Sequence, residues 1–337
     1  MSRTNPPPSP VLEAARARAE ARRAKDWATA DRLRADIEAA GWRVVDRGES
    51  FALEPAHPPD LESDVGLRYG RSDSVPSRLD APPTATATIV MVVGDRARGV
   101  DAVASVEASL LPALALAPAG VEAVVVADGL ADEALDALRD LAAAPDRDRE
   151  RRLEVIATSA PLGQAAALNA GIRRAGGATV VALDPSIEPE SDIVTPLIAA
   201  LEDPSVAIAG PFGLATADLR RFEEVVAIGS SVDAAAIEGY LMAFRRADAS
   251  ARGPLDEHFR FYRNLDIWWS LVLRDEGPGA APRRAAVVPG LELRRGEPRA
   301  WSVTPAAERE RRSKRNFYRV LERFRTRLDL AVEPSPG

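Results

Sequence analysis

APLGQAAALNAGIRRAGGATVVALDPSIEP, residues Ala160–Pro189, runs through a loop, a helix, a tight connection, a buried strand and an acidic strand end. Leu162, Ala166, Asn169, Ile172 and Arg173 recur at helical spacing, and Gly176–Gly177 stop the helix. Thr179–Leu183 is a short apolar, β-branched run of the kind that fills a central parallel strand. Asp184 then falls where that strand ends. In open α/β sheets the ligand crevice lies beyond the carboxyl ends of the strands, so a carboxylate at this place is a candidate site residue on position alone.

Working outward, the same strand–helix alternation runs on both sides. Upstream, Thr88–Val93, Glu122–Val126 and Leu153–Ala157 read as strands, with helices over Val100–Leu111 and Asp132–Ala143. Downstream come a helix over Asp192–Leu201, apolar runs at Val206–Ala209, Phe222–Ile228 and Gly239–Phe244, a helix over Ile267–Arg274 and a late strand over Val287–Leu293. Alternating β and α predict a doubly wound, mainly parallel sheet flanked by helices, here over about 85–300. No Gly-x-Gly-x-x-Gly follows the first strand and no Walker loop occurs, which counts against dinucleotide-binding and P-loop folds.

The flanks differ in composition. Residues 1–10 are a Pro-rich lead expected to be disordered. Residues 11–57 predict a small helical hairpin module: an Ala/Arg-rich helix, an interruption at Lys25-Asp26-Trp27 with Asp26 as N-cap, a second helix ended by Gly41, and a β-hairpin from Trp42–Asp46 and Ser50–Leu53. Leu12, Ala15 and Ala19 form one apolar stripe; Trp27, Ala30, Leu33, Ile37 and Ala40 form another. Residues 58–84, rich in Pro, Ser, Asp and Gly, read as a linker packed in part through Leu67 and Tyr69. Residues 301–337 hold a long basic helix, Pro305–Leu330, and a tail.

Bulk chemistry narrows the function. A net charge of -7 argues against a protein that coats nucleic acid by charge alone. With no Cys and only His57 and His258, thiolate zinc sites, thiol nucleophiles and His-rich metal sites are excluded. The N-terminus has no apolar signal-peptide core, and no apolar run reaches the ~20 residues that span a bilayer, so a cytoplasmic location is the expectation. Glu308–Arg327 carries nine basic residues interleaved with Phe317, Tyr318, Leu321 and Phe324. Such a helix packs its aromatic stripe on the domain, or lies on an anionic membrane surface.

Two resemblances add to this reading. Gly163, Asn169, Gly171, Ala175-Gly176, an apolar strand, Asp184 and Pro189 resemble the donor half of a family 2 glycosyltransferase with a GT-A fold. Gly239–Arg246, Leu255-Asp256-Glu257 and Tyr262–Gly277 look like its acceptor half. The resemblance implies an inverting enzyme that moves a sugar from a nucleotide-sugar donor to a hydroxyl acceptor. It implies Asp266 as general base, Asp128 and Asn169 at the donor, and Asp184 as donor residue and metal ligand. On the residues themselves, Asp128 is equally a turn residue after its strand and Asp266 equally a helix N-cap. Ser186 stands where the family has a second Asp, and Leu293-Arg294-Arg295-Gly296 where it has a late His. A divalent cation (Mg or Mn) is thereby put in doubt, and Arg294 or Arg295 is expected to meet the diphosphate directly. The rival expectation is a non-catalytic binding module of the same fold. Residues 11–56 in turn resemble the small C-terminal domain of bacterial cysteinyl-tRNA synthetases, which implies RNA or protein contact through the hairpin.

Overall fold

The computed structural model describes residues 6–47, 50–63, 66–94, 102–144, 152–296 and 304–333. They form two units, Met1–Leu61 and Glu62–Gly337.

In the small unit α1 (Ser9–Arg23) and α2 (Trp27–Ala39) precede an antiparallel hairpin of β1 (Trp42–Arg47) and β2 (Ser50–Pro55). Asp26 caps α2 by accepting the Thr29 amide at 3.1 Å. Val11, Ala15 and Ile37 are buried, with Trp42, Val44, Phe51 and Leu53 packed on them. Trp27, expected on that apolar stripe, is instead 58% exposed. Buried Arg18 donates to Asp46 at 2.9 Å and holds that carboxyl below its usual range. Helix α1 starts inside the expected disordered lead, with Pro10 in its first turn, where a missing N–H costs no bond. Residues 1–5 of that lead lie outside the described residues.

The large unit is built on one sheet. Its strands are β3 (Leu61–Ser63), β4 (Gly66–Tyr69), β5 (Ala85–Gly94), β6 (Val121–Asp128), β7 (Leu153–Thr158), β8 (Gly177–Leu183), β10 (Val206–Gly210), β13 (Val232–Ala234), β15 (Leu241–Arg245) and β16 (Arg284–Val287). Across the sheet they run β13-β16-β10-β15-β8-β5-β6-β7-β4-β3. Strands β5, β6, β7, β8 and β4 pair in parallel, whereas β15 runs antiparallel to both β8 and β10. This is the mixed, mainly parallel α/β architecture that the alternation predicts.

Period-two alternation along β5 splits the core between the two faces. Ala87, Ile89, Met91 and Val93 pack with Leu135 and Leu138 of α5 (Asp132–Ala143) and Leu197 of α7 (Val194–Glu202). Val90 packs on the other face with Leu168 and Ile172 of α6 (Gln164–Arg174) and with α9 (Leu265–Arg274), whose Trp269 meets Phe244 edge-on at 5.6 Å. The helix read over Val100–Leu111 is α3 (Ala102–Ser105), a π turn over Val106–Leu110 and α4 (Leu111–Leu116); its proposed start at Val100 lies outside the described residues.

The remaining short segments are β9 (Ile187–Pro189), β11 (Gly213–Ala215), β12 (Glu223–Val225), β14 (Ala236–Ile237), α8 (Arg246–Arg252), β17 (Leu293–Arg295) and the last helix α10 (Ala306–Phe324). Helix α10 buries Asn316, Val320 and Phe324, so it packs on the domain, while Tyr318 is exposed. At the end of α9 the buried Arg274 donates from Nη1 to the carbonyls of Ala235 (2.7 Å) and Leu330 (2.8 Å), and from Nε to Arg283 (2.8 Å). Burial pulls its pKa down to about 10.

Two expectations are corrected. The supposed linker 58–84 supplies β3 and β4; β4 pairs with β7, and the Tyr69 carbonyl accepts the Ser159 amide at 2.9 Å. Such short strands are held by their backbone ladder and show little apolar alternation, and Leu67, expected to pack, is 42% exposed. The late strand is not Val287–Leu293 but β16, Arg284–Val287. Gly290 turns the chain at φ 76°, and Leu293–Arg295 then pairs with β9 instead.

Candidate functional site

The carboxyl end of β8 opens into a cleft of about 1060 Å³. Because β15 is antiparallel to β8, the residues just before β15 arrive at this same edge. The cleft wall therefore takes Asp184 from β8, Glu238, Gly239 and Tyr240 from the approach to β15, and Asp266 from the first turn of α9. Gln164 and Leu168 of α6 and one face of α10 complete it.

Asp266 is held from both oxygens. Oδ2 accepts the Gly239 amide and Oδ1 the Ile267 amide, each at 2.9 Å. It is not the N-cap: the helix starts at Leu265, after Asn264 in the left-handed region at φ 67°. Burial raises its carboxyl above the usual range, against the lowering effect of the two amides. Gly239 passes so close that a Cβ there would lie 3.3 Å from Asp266 Cβ.

Asp184 follows β8 directly, and its amide donates to the Tyr240 carbonyl at 2.9 Å. Its Oδ1 accepts from the Ser186 amide (2.9 Å) and hydroxyl (2.5 Å). The residue standing where a second carboxylate was expected thus binds the first one. Asp128, the last residue of β6, is fully buried and accepts the Leu162 amide at 2.7 Å and the Gly163 amide at 3.2 Å. It staples the turn into α6, which Gly163 enters at φ 109° with its Cα hydrogens against Arg260.

Asn169 faces away from the cleft. Its Nδ2 donates to the Leu255 carbonyl (2.9 Å) and to Glu257 (3.0 Å), and its Oδ1 accepts the Leu255 amide (2.9 Å). It braces α6 against the 255–257 segment. Arg294 and Arg295 also lie outside the cleft lining. Arg294 pairs with Glu188 at 2.7 Å and Glu190 at 2.8 Å. Arg295 lies over the rings of Phe212 (4.5 Å) and Tyr240 (4.9 Å), with Glu238 at 3.5 Å. Of the residues singled out in the sequence, the structure thus brings Asp184 and Asp266 together in the cleft, and gives Asp128 and Asn169 bracing contacts.

Glu238 was not legible in advance. Its side chain is 12% exposed. Burial, with the charge of Asp266 second, raises its pKa to about 7 against the opposing pull of Arg295. The available signal was topological: an antiparallel strand that follows a parallel one starts at the crevice. In the unfolded chain this proton leaves near the ordinary glutamate value, whereas the folded protein keeps it to about pH 7. Stability is therefore lost as pH rises between those values. Glu238→Gln should remove that loss: thermal melts of variant and parent should diverge from about pH 4.5 to about 7 and run parallel above. Parallel melts throughout that range would contradict the assignment.

A divalent cation needs several oxygen ligands. Among the described residues no three His, Asp or Glu side chains converge on a point. Asp184 is engaged by Ser186, and arginines stand where a further ligand was expected. The residues do not fit a protein-held cation.

Comparison with known proteins agrees with this geometry. Residues 101–247 match the family described as Glycosyl transferase family 2. The solved structure of GalNAc-T7 with UDP, GalNAc and Mn2+ superposes with a TM-score of 0.53 at 15% identity, over 72% of this chain and 48% of that one. The mannosyltransferase PcManGT from Pyrobaculum calidifontis, in complex with GDP-Man and Mn2+, aligns at 18% identity and a TM-score of 0.49, over 76% of this chain and 71% of that one. Residues 101–247 thus match the glycosyltransferase family 2 model, the large unit shares its fold with the GalNAc-T7 structure, and the chain spans about half the length of that structure. A further 49 residues are 51% identical to a cysteine–tRNA ligase from Opitutus terrae (strain DSM 11246 / JCM 15787 / PB90-1), over 11% of that protein's length. No helix among the described residues is long and apolar enough to cross a membrane.

Proposed function

We propose that the large unit transfers a sugar from a nucleotide-sugar donor to a hydroxyl acceptor with inversion, Asp266 acting as general base. The observation that carries this is the meeting of Asp184 and Asp266 in one cleft, at the carboxyl edge of the sheet. Asp266 is fixed by two amides, so its carboxylate is oriented before substrate arrives. Its raised pKa makes it a stronger base than a free aspartate. It takes the proton of the acceptor hydroxyl while that oxygen attacks the anomeric carbon from the face opposite the diphosphate. The bond to the diphosphate breaks in the same displacement, so one base suffices and configuration inverts. Asp184 and Asp128 are the donor-side carboxylates, Asp128 through the turn it holds. The hairpin unit is read as an RNA or protein contact, on its likeness to part of a tRNA ligase. The cytoplasm is its proposed location, and the basic face of α10 leaves peripheral membrane contact as a secondary role.

Thermal shift and transfer assays with UDP-, GDP- and dTDP-sugars, with manganese and with chelator, test this reading. At least one donor should stabilise the protein, and transfer should persist in chelator. Stabilisation by a donor without turnover on any acceptor would convert the reading to a non-catalytic binding module. Activity lost in chelator and restored by manganese would overturn the metal-independent part.

A further inference from the structure

The cleft has a second wall that the chemistry above does not use. Ala306, Arg309, Glu310, Ser313, Lys314 and Phe317 all line it from α10, at the spacing of one helix face. Helix α10 is anchored beside this wall and through it. Asn316 Nδ2 donates to the carbonyls of Phe261 (2.9 Å) and Arg263 (2.8 Å), Asn264 Nδ2 donates to the Ser313 carbonyl (2.9 Å), and Phe317 meets Phe222 edge-on at 6.5 Å. The cations on this wall therefore stand at fixed places over the crevice. Arg263 and Arg220 line the same cleft.

The charges on the two walls are unevenly committed. Asp184 is bonded by Ser186, Asp266 by two backbone amides, and Glu238 faces Arg295. On the basic side, neither the Lys314 ammonium nor the Arg220 guanidinium forms an ion pair among the described residues. Positive charge lining a cleft without a carboxylate partner is suited to phosphate oxygens, which accept charge-assisted hydrogen bonds from Lys and Arg.

We propose that the cleft carries a subsite for a phosphate-type anion, held by Lys314 of α10 and Arg220, with Arg309 and Arg263 lining the same cleft. Two sources share this chemistry: the diphosphate of the donor, which rests on the function proposed above, and a phosphate carried by the acceptor. In either case the cations are Lys314 of the last helix and Arg220, not the 294–295 pair singled out by the sequence.

Calorimetry on the full chain at low salt would decide, with inorganic pyrophosphate, glycerol phosphate, UDP and GDP as probes. The Lys314→Gln/Arg220→Gln double variant should bind the relevant probe at least about tenfold more weakly, with an unchanged melting temperature, while Lys314→Arg stays close to the parent. Weakening of pyrophosphate together with UDP or GDP assigns the subsite to the donor. Weakening of glycerol phosphate alone assigns it to the acceptor. Parent binding of pyrophosphate but of neither nucleotide would sustain the subsite and sink the nucleotide-donor reading. Nucleotide binding that is equally strong in parent and double variant, with glycerol phosphate likewise unaffected, would overturn the subsite and leave the donor reading intact. Binding of no anion by the parent would overturn it as well.

Discussion

Asp266→Asn should lower transfer by about 10²–10⁴-fold, the usual contribution of a positioned general base. An amide cannot take the acceptor proton, so the loss should fall on kcat while donor binding stays near the parent value. The substitution has a structural cost to separate out. Both carboxylate oxygens accept backbone amides at 2.9 Å, and asparagine offers one acceptor where two are used. The unmet amide costs about 1–3 kcal/mol, partly offset because a buried charge is also removed. Donor affinity by calorimetry and a melting curve, taken beside the rate, resolve the two effects. A variant that melts like the parent and still turns over at a comparable rate would remove Asp266 from the chemistry. Its neighbour Glu238 would then be the next residue to replace.

Gly177→Ala should destabilise the large unit by about 3 kcal/mol, toward the upper end for overpacking. Gly177 opens β8, and a Cβ there would stand 2.3 Å from the Ala87 carbonyl carbon and 2.4 Å from the Thr88 nitrogen. Both are backbone atoms of β5, the strand at the centre of the sheet, and neither yields without breaking its ladder. The connection is further tied by polar bonds. Buried Glu122 accepts the Gly176 amide (2.7 Å) and the Thr88 hydroxyl (2.8 Å), and Thr88 Oγ1 in turn accepts the Gly177 amide (2.8 Å). Gly171→Ala is the internal control. There the nearest atom, at 2.4 Å, is the Val90 Cγ1 methyl of a side chain, which a small shift of α6 relieves in part. Urea unfolding should rank Gly177→Ala as the more damaging of the two. The reverse order would show that the helix packing, not the strand register, is the less forgiving contact.

These two residues mark what the sequence could and could not disclose. The stretch Ala160–Pro189 showed its helix, its glycine stop and its buried strand, because each is a local pattern with a local cause. The helix over Asp132–Ala143 was legible to the residue for the same reason. Asp184 was legible because a strand end locates its side chain at the crevice, whereas Asp266 was singled out through the family resemblance. The bracing role of Asn169 was not, since its partners lie 86 and 88 positions away and no local pattern reports them. Arg294 and Arg295, singled out through the resemblance, stand outside the cleft lining because β17 pairs with β9: Arg294 turns onto Glu188 and Glu190, and Arg295 backs the wall residues Glu238 and Tyr240. Glu238 and the α10 cations depend on which strand runs antiparallel and where the last helix docks. Neither is written in composition or period.

The carbonyl of Leu330 that receives Arg274 bears on how the chain is assembled as it is made. Strands β5, β6, β7 and β8 pair among themselves, so that half can settle as soon as residue 183 has appeared. Helix α9 cannot do the same. Its guanidinium is 3% exposed, and one of its three carbonyl partners comes 56 positions later. Until then, docking α9 would bury a cation with part of its hydrogen bonding unmet, at a cost of about 1–3 kcal/mol or more. The half that carries Asp266 therefore completes its hydrogen bonding only with the segment that follows the last helix. Truncation before Leu330 should accordingly loosen α9, and with it the cleft, by about 1–3 kcal/mol, which urea unfolding of the shortened chain would check.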